Sequence, residues 1–349
     1  MKIKLFIFIF CACALASQAD TTVTVKVVNE GGAPISEAEV KIASANAKVG
    51  PNGSIMPADE SVGYSDEDGL FTGTGYGPMG ISIWVKAEGY YSHGYQPAET
   101  HRITDRTNDA ILEQIVILRV VKNTIPLYAQ QTEIWSPSQK KIPLMNEWIG
   151  FDFEEGDWVK PHGKGETSDV LFRYNSEFVK FVDTGWSMEK LREVNRKKIE
   201  RQGRVWNEEV FRKEAGLWEG SLEISFPGEK EGLVKVVEAF MPHSVLRMPH
   251  LAPEEGYAPT QVYHEADGEP HTFRDDVGFF LRTRVVLDRQ GNIESANYAK
   301  IYGDFQFSPK GYVAFDYYFN STPNDRNLEF DPGKNLFPKS VEGSNVILP

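Results

Sequence analysis

FFLRTRVVLDRQGNIESANYAKIYGDFQFSPKGYVAFDYYF, residues 279–319, reads as three strands joined by two turns. Phe279 to Leu287 alternates in the strand period, Asp288-Arg289-Gln290-Gly291-Asn292 turns the chain, and Ile293 to Phe307 runs back. Ser308-Pro309-Lys310-Gly311 turns it again, and Tyr312 to Phe319 completes a meander. Such a sheet buries one aromatic-rich face and needs a second layer over it. Residues 142–349 are therefore expected to form a β-rich sandwich or curved sheet.

Upstream, Leu222 to Phe226 and Leu233 to Phe240 read as further strands around a Pro227-Gly228 turn. One helical insertion interrupts them, at about 188–214. Ser187 is placed to cap a helix running from Met188 towards Ala215. Glu193 with Lys197, Glu200 with Arg204, Glu208 with Arg212 and Glu209 with Lys213 stand at supportive i, i+4 spacing. Gly203 is positioned to bend this helix or split it. Leu191, Val194, Ile199, Trp206, Val210 and Phe211 supply an apolar stripe for docking on a sheet. Residues 123–141, with Pro126 and Pro137, read as a linker that also packs on the C-terminal part. No internal repeat relates the two halves.

The N-terminal module, 20–122, shows the strand period from its start. Val23, Val25 and Val27 share one face, and Ala38 to Ala43 gives a second strand after the Gly31-Gly32-Ala33-Pro34 break. Val62 to Ser65 and Leu70 to Thr74 flank the tight turn Asp66-Glu67-Asp68-Gly69, and Ile81, Ile83 and Val85 alternate again before the strand Ile111 to Val121. Short strands between turn signals, with no helical period, imply an antiparallel β-sandwich. The fold class is thus mainly β. GAPISEAEVKI, YSDEDGLFTG and ISIWVKAEGYY, in that order, resemble the carboxypeptidase regulatory-like domain, a transthyretin-like sandwich, over about residues 21–121. Ser65 stands where that family usually has Thr. The resemblance implies an accessory module for folding, spacing or binding, and brings no catalytic residues with it.

Residues 1–19 read as a cleavable signal peptide: Lys2 and Lys4, an apolar run from Leu5 to Leu15, then Ser17-Gln18-Ala19 before Asp20. Phe10-Cys11-Ala12-Cys13 fits a lipidation box poorly. Both cysteines fall in the leader, so the mature chain is expected to have no disulfide. A formal net charge of −13, made more negative by loss of the two leader lysines, argues against nucleic acid and anionic membranes as partners. The expected location is secreted or periplasmic, without membrane insertion after cleavage.

The search for chemistry is mostly negative. Gly75 to Gly80 spells GxGxxG, but a strand rather than a helix follows, so no dinucleotide cofactor is expected. GxSxG, P-loop and HExxH motifs are missing from the sequence, as is the HxxE pair of a metallocarboxypeptidase. His243, His250, His264 and His271 are spaced too widely for an assigned metal site. Asn52-Gly53-Ser54 and Asn320-Ser321-Thr322 match the glycosylation sequon. The densest segment is WIGFDFEEGDWVKPHGKGET, 148–167, from which Trp148, Asp152, Asp157, Trp158 and His162 are the candidate binding residues. Sugars stack on Trp and bond to carboxylates, so a glycan or an envelope protein is the expected partner of a non-enzymatic binding or structural protein. The alternative is a secreted polysaccharide hydrolase using the carboxylates of 152–157 as acid and base.

Overall fold

A computed structural model describes residues 21–44, 48, 49, 55, 56, 60–75, 81–94 and 111–349. The leader, the Asn52 sequon and most of the Gly75–Gly80 motif lie outside the described residues. The chain divides into two compact units, Met1–Val120 and Val121–Pro349, and is mainly β. Among the described residues no helix is long and apolar enough to cross a membrane.

The first unit contains β1 (Thr21–Asn29), β2 (Glu39–Ser44), β3 (Lys48–Val49), β4 (Ile55–Met56), β5 (Glu60–Tyr64), β6 (Leu70–Gly75), β7 (Ile81–Lys86) and β8 (Ile111–Leu118). Two three-stranded sheets, β6-β1-β8 and β5-β2-β7, enclose one core, and β3 pairs β4 separately. Val23, Val25 and Val27 of β1 meet Val40 and Ile42 of β2 and Val85 of β7, all at most 1% exposed. One expectation is corrected here: the unit is not wholly antiparallel, because β8 runs parallel to β1. The pair lies far apart in the chain, so no short turn forces the opposite sense.

The Asp66–Gly69 turn forms, but it does not close a hairpin. β5 pairs with β2 and β6 pairs with β1, so the turn carries the chain from one sheet to the other. Asp66 Oδ1 accepts from the Asp68 and Leu70 amides at 3.0 and 2.8 Å, holding the crossing in place. Gly69 has φ +76°, and a Cβ there would lie 2.4 Å from the Val27 carbonyl oxygen, so only glycine fits. The buried Ser65 hydroxyl accepts from the Ala38 amide and donates to the Ile35 carbonyl, which explains a hydroxyl residue ahead of the turn. Because this unit has a core of its own, a fragment of residues 20–122 is expected to melt in one cooperative transition. A broad, molten thermal profile would show that its core is incomplete.

The second unit contains β9 (Tyr128–Gln130), β10 (Lys140–Lys141), β11 (Ile149–Asp152), β12 (Asp157–Trp158), β13 (Val170–Phe181), α1 (Met188–Arg201), α2 (Glu208–Ala215), β14 (Gly216–Ser225), β15 (Gly232–Val236), β16 (Thr260–Ala266), β17 (Gly278–Leu287), β18 (Ile293–Ser308) and β19 (Tyr312–Asn320). β10, β19, β18, β17 and β15 form one sheet, joined by β9, and β12, β11, β13, β14 and β16 form the other. The stretch expected to be a linker thus supplies two strands, β9 and β10, both hydrogen-bonded to β19.

The meander forms as expected, but it buries both faces rather than one. Phe279, Ile301, Phe305, Phe315 and Tyr317 meet Phe151, Phe172, Leu222 and Ile224 of the facing sheet. Ring centroids of Phe172 and Phe315 stack at 5.6 Å, and Phe151 meets Phe315 edge-on at 5.4 Å. On the reverse face Phe280, Tyr298, Tyr302 and Tyr318 pack under Leu127, Met248, Leu328 and Phe330 from the flanking loops. The paired aromatics Phe279-Phe280 and Tyr317-Tyr318-Phe319 are the sequence trace of this double burial.

The helical insertion is split. Ser187 caps α1 through Lys190 N, and Gly203, at φ +71°, lies just beyond its end; α2 then starts from the Asn207 cap. Of the four expected pairs, Glu193–Lys197 forms at 2.5 Å. The break redirects others: Arg204 reaches Glu214, Arg192 reaches Glu208, and Glu200 turns back to Arg196. Leu191, Phe211 and Ala215 form a small core of their own, with Phe211 stacked on Phe181 of β13 at 4.8 Å.

Candidate functional site

The 148–167 segment forms the β11–β12 hairpin and the loop after it. Alternation points Ile149 and Phe151 inward, and Phe153 follows them into the core. Trp158, directly opposite Phe151, is 5% exposed and packs edge-on against Phe151 and Phe172 at 5.3 and 5.7 Å. It is a core residue, not an exposed platform. Trp148 is 39% exposed on the other side of the sheet, beneath the Arg173 guanidinium at 4.5 Å. His162 lies exposed in the following turn.

The carboxylates of the segment are engaged in holding the loop. Asp152 is buried; its Oδ1 accepts from the Glu154 amide and its Oδ2 from the Glu166 and Thr167 amides at 2.9–3.0 Å. Asp157 accepts from the Trp158 and Lys164 amides. Arg284, which the sequence reading did not single out, gathers the rest. Its Nε and Nη2 meet both oxygens of the fully buried Asp169 at 2.7 and 2.9 Å, and its Nη1 meets Glu154 at 2.6 Å. Its Nη2 also reaches Asp152 at 3.3 Å. Burial pushes the Asp169 carboxyl above its ordinary range, and the Arg284 guanidinium pulls it back. The available signal was Arg282 and Arg284 inside an aromatic strand, since a charge there needs partners. Arg282 finds carbonyls, those of Lys230 and Glu254, and stacks on Tyr257.

The more open feature is on the solvent face of the same sheet. Arg173 stands opposite Glu223, Asn175 opposite Ser221, and Glu177 opposite Glu219, with His264 beside Ser221 on β16. Asn175, Glu177, Glu219, Ser221 and His264, with Glu269 and Thr272, line a groove of about 480 Å³. The loop at its edge is pinned by Glu265, whose carboxylate accepts from the Thr272 amide and hydroxyl at 2.9 and 2.6 Å and meets His271 Nδ1 at 3.0 Å. His271 lies between Phe273 and Trp135, with ring centroids at 4.9 and 4.7 Å. Trp135 is 63% exposed. Of the four histidines considered for metal, His264 and His271 therefore belong to the groove and its rim, while His250 is buried near Glu329. Among the described residues, no group of three or more His, Cys, Asp or Glu is placed to hold a metal ion.

No family model matches the chain, and no curated protein matches it. Among solved structures, 3-chlorocatechol 1,2-dioxygenase from Rhodococcus opacus is 15% identical, with TM-score 0.23, over 30% of this chain and 61% of that one. A streptococcal ancillary pilin is 13% identical, with TM-score 0.21, over 48% of this chain and 56% of that one. The shaft pilin of Lactobacillus rhamnosus GG is 10% identical, with TM-score 0.20, over 90% and 95%. The chain thus spans less than two thirds of the dioxygenase and of the ancillary pilin. Similarity this weak carries no argument about function.

Proposed function

We propose that this chain is an exported, non-enzymatic β-protein of the envelope or extracellular space. In this reading residues 20–122 are an accessory module of the carboxypeptidase regulatory-like kind, and the second unit binds glycan on the solvent face of its five-stranded sheet. The observation that carries the proposal is the groove itself, in which hydrogen-bonding side chains line a sheet surface, and beside which His271, bonded to Glu265 of the lining, stacks on Phe273 and meets the exposed Trp135 at a tilt. Asn175, Ser221 and His264 offer donors and acceptors, and Glu177, Glu219 and the Thr272 hydroxyl oxygen offer acceptors, for sugar hydroxyls. Trp135 offers a ring face. The hydrolase alternative draws little support from the 152–157 carboxylates, because Asp152, Glu154 and Asp157 serve Arg284 and the loop amides, which leaves the exposed Glu155, near Lys164, without a second carboxylate to work with.

The test is a glycan array with the intact chain, followed by titration of the best ligand. Trp135→Ala and His264→Ala are each expected to weaken binding by about 1–3 kcal/mol with little change in melting temperature. Silence on the array, or binding indifferent to both substitutions, sinks the glycan reading. Retention of an envelope protein through the same two residues would replace it.

A further inference from the structure

β13 presents alternate residues to opposite sides. Asn175 and Glu177 line the groove, while Tyr174 and Ser176 face a second cavity of about 200 Å³, covered by α2 and the 308–311 turn. The two cavities share no lining residue. Met145, Tyr174, Trp218 and Pro309 wall the smaller one, and Lys141, Lys213 and Lys310 reach it. Lys141 Nζ lies over the Tyr174 and Tyr312 rings at 5.4 and 4.7 Å and donates to the Lys310 carbonyl. Ser176 Oγ, in the same wall, is buried and has no hydrogen-bond partner.

The charges at this place do not balance. Lys310 answers Asp267 at 3.6 Å, and Glu209 is exposed. Among the described residues neither Lys141 nor Lys213 has an ion-pair partner. Burial and the nearby Lys213 ammonium bring Lys141 down to about 8. Lys141, part-buried and answered only by the Lys310 carbonyl and two ring faces, is a cost to the fold beside the unbonded Ser176 hydroxyl, while the Lys213 ammonium that also lines the cavity is exposed. An anion entering the cavity removes that cost. The size, below the roughly 300–1,000 Å³ of pockets for drug-sized ligands, restricts the guest to about one ring. The apolar walls call for a body that inorganic anions lack.

We propose that this cavity binds a small ring-bearing carboxylate of the hexuronate class. The carboxylate lies between Lys141 and Lys213, the ring lies against Trp218 and Tyr174, and the Ser176 hydroxyl bonds a ring substituent. The proposal does not rest on the glycan groove.

The test is calorimetric titration of the intact chain with sodium D-glucuronate, D-glucose and inorganic phosphate as separate probes. Glucuronate is expected to bind with a dissociation constant in the range of about 1 mM or tighter, and the other two about tenfold more weakly or worse. Lys141→Gln is expected to weaken glucuronate binding about tenfold and Ser176→Ala several-fold, while Trp135→Ala, beside the groove and outside this cavity, leaves it unchanged. Should Lys141→Gln fail to fold, Ser176→Ala and Lys213→Gln carry the test. Absence of glucuronate binding overturns the proposal. So does phosphate binding as tightly as glucuronate, or affinity indifferent to the cavity variants.

Discussion

Arg284→Ala is expected to destabilise the second unit by about 3–5 kcal/mol, because it leaves the buried carboxylates it serves without their cation. Asp169 is fully buried and Asp152 nearly so, and both lose a charged partner. The backbone sharpens the test. Arg284 has φ +52°, at a bulge where β17 and β18 shift register, a conformation that alanine tolerates less well than glycine. Arg284→Gly is therefore expected to be less damaging than Arg284→Ala by about 1 kcal/mol, even though both lose the guanidinium. Urea unfolding followed by tryptophan fluorescence measures both. A loss under about 1 kcal/mol for Arg284→Ala would mean that the network is solvated and contributes little.

Trp158→Ala is expected to cost a similar amount, about 3–5 kcal/mol, by leaving a cavity between the two sheets. Phe151 and Phe172 both lose an edge-on partner. Binding at the groove is expected to change only in proportion to the unfolded fraction. Trp148→Ala supplies the contrast: that ring is exposed under Arg173, and its loss is expected to move stability by no more than about 1 kcal/mol. If Trp158→Ala left the melting curve in place and abolished ligand binding instead, its assignment to the core would fall.

Much of the fold was legible because periodicity reports burial directly. The meander 279–319, the strands of the first module and the helical insertion can all be read from alternation, turn residues and caps. Partnering was less legible, because pairing depends on contacts far apart in the chain. Nothing local in Ile111 to Val121 says that it will run parallel to β1, or that the Asp66–Gly69 turn crosses between sheets. The same limit governs the site. The 148–167 segment is rich in the residues that bind sugars, and the same residues also build a hairpin under an arginine 115 positions away from Asp169. The groove draws one residue or a few from each of β13, β14, β16 and the 267–272 loop, so no window of sequence contains it.

The parallel seam between β1 and β8 has a mechanical consequence. Eight residue pairs, from Thr22↔Ile111 to Asn29↔Leu118, lie in register, and the chain enters at one end of the seam and leaves at the other. Tension drawn between those two ends acts along the strands. It must slide all eight pairs past one another together, where a hairpin pulled at its open end would unzip one pair at a time. Stretched end to end, the first unit therefore behaves as a shear clamp, passing load along the backbone before it yields length.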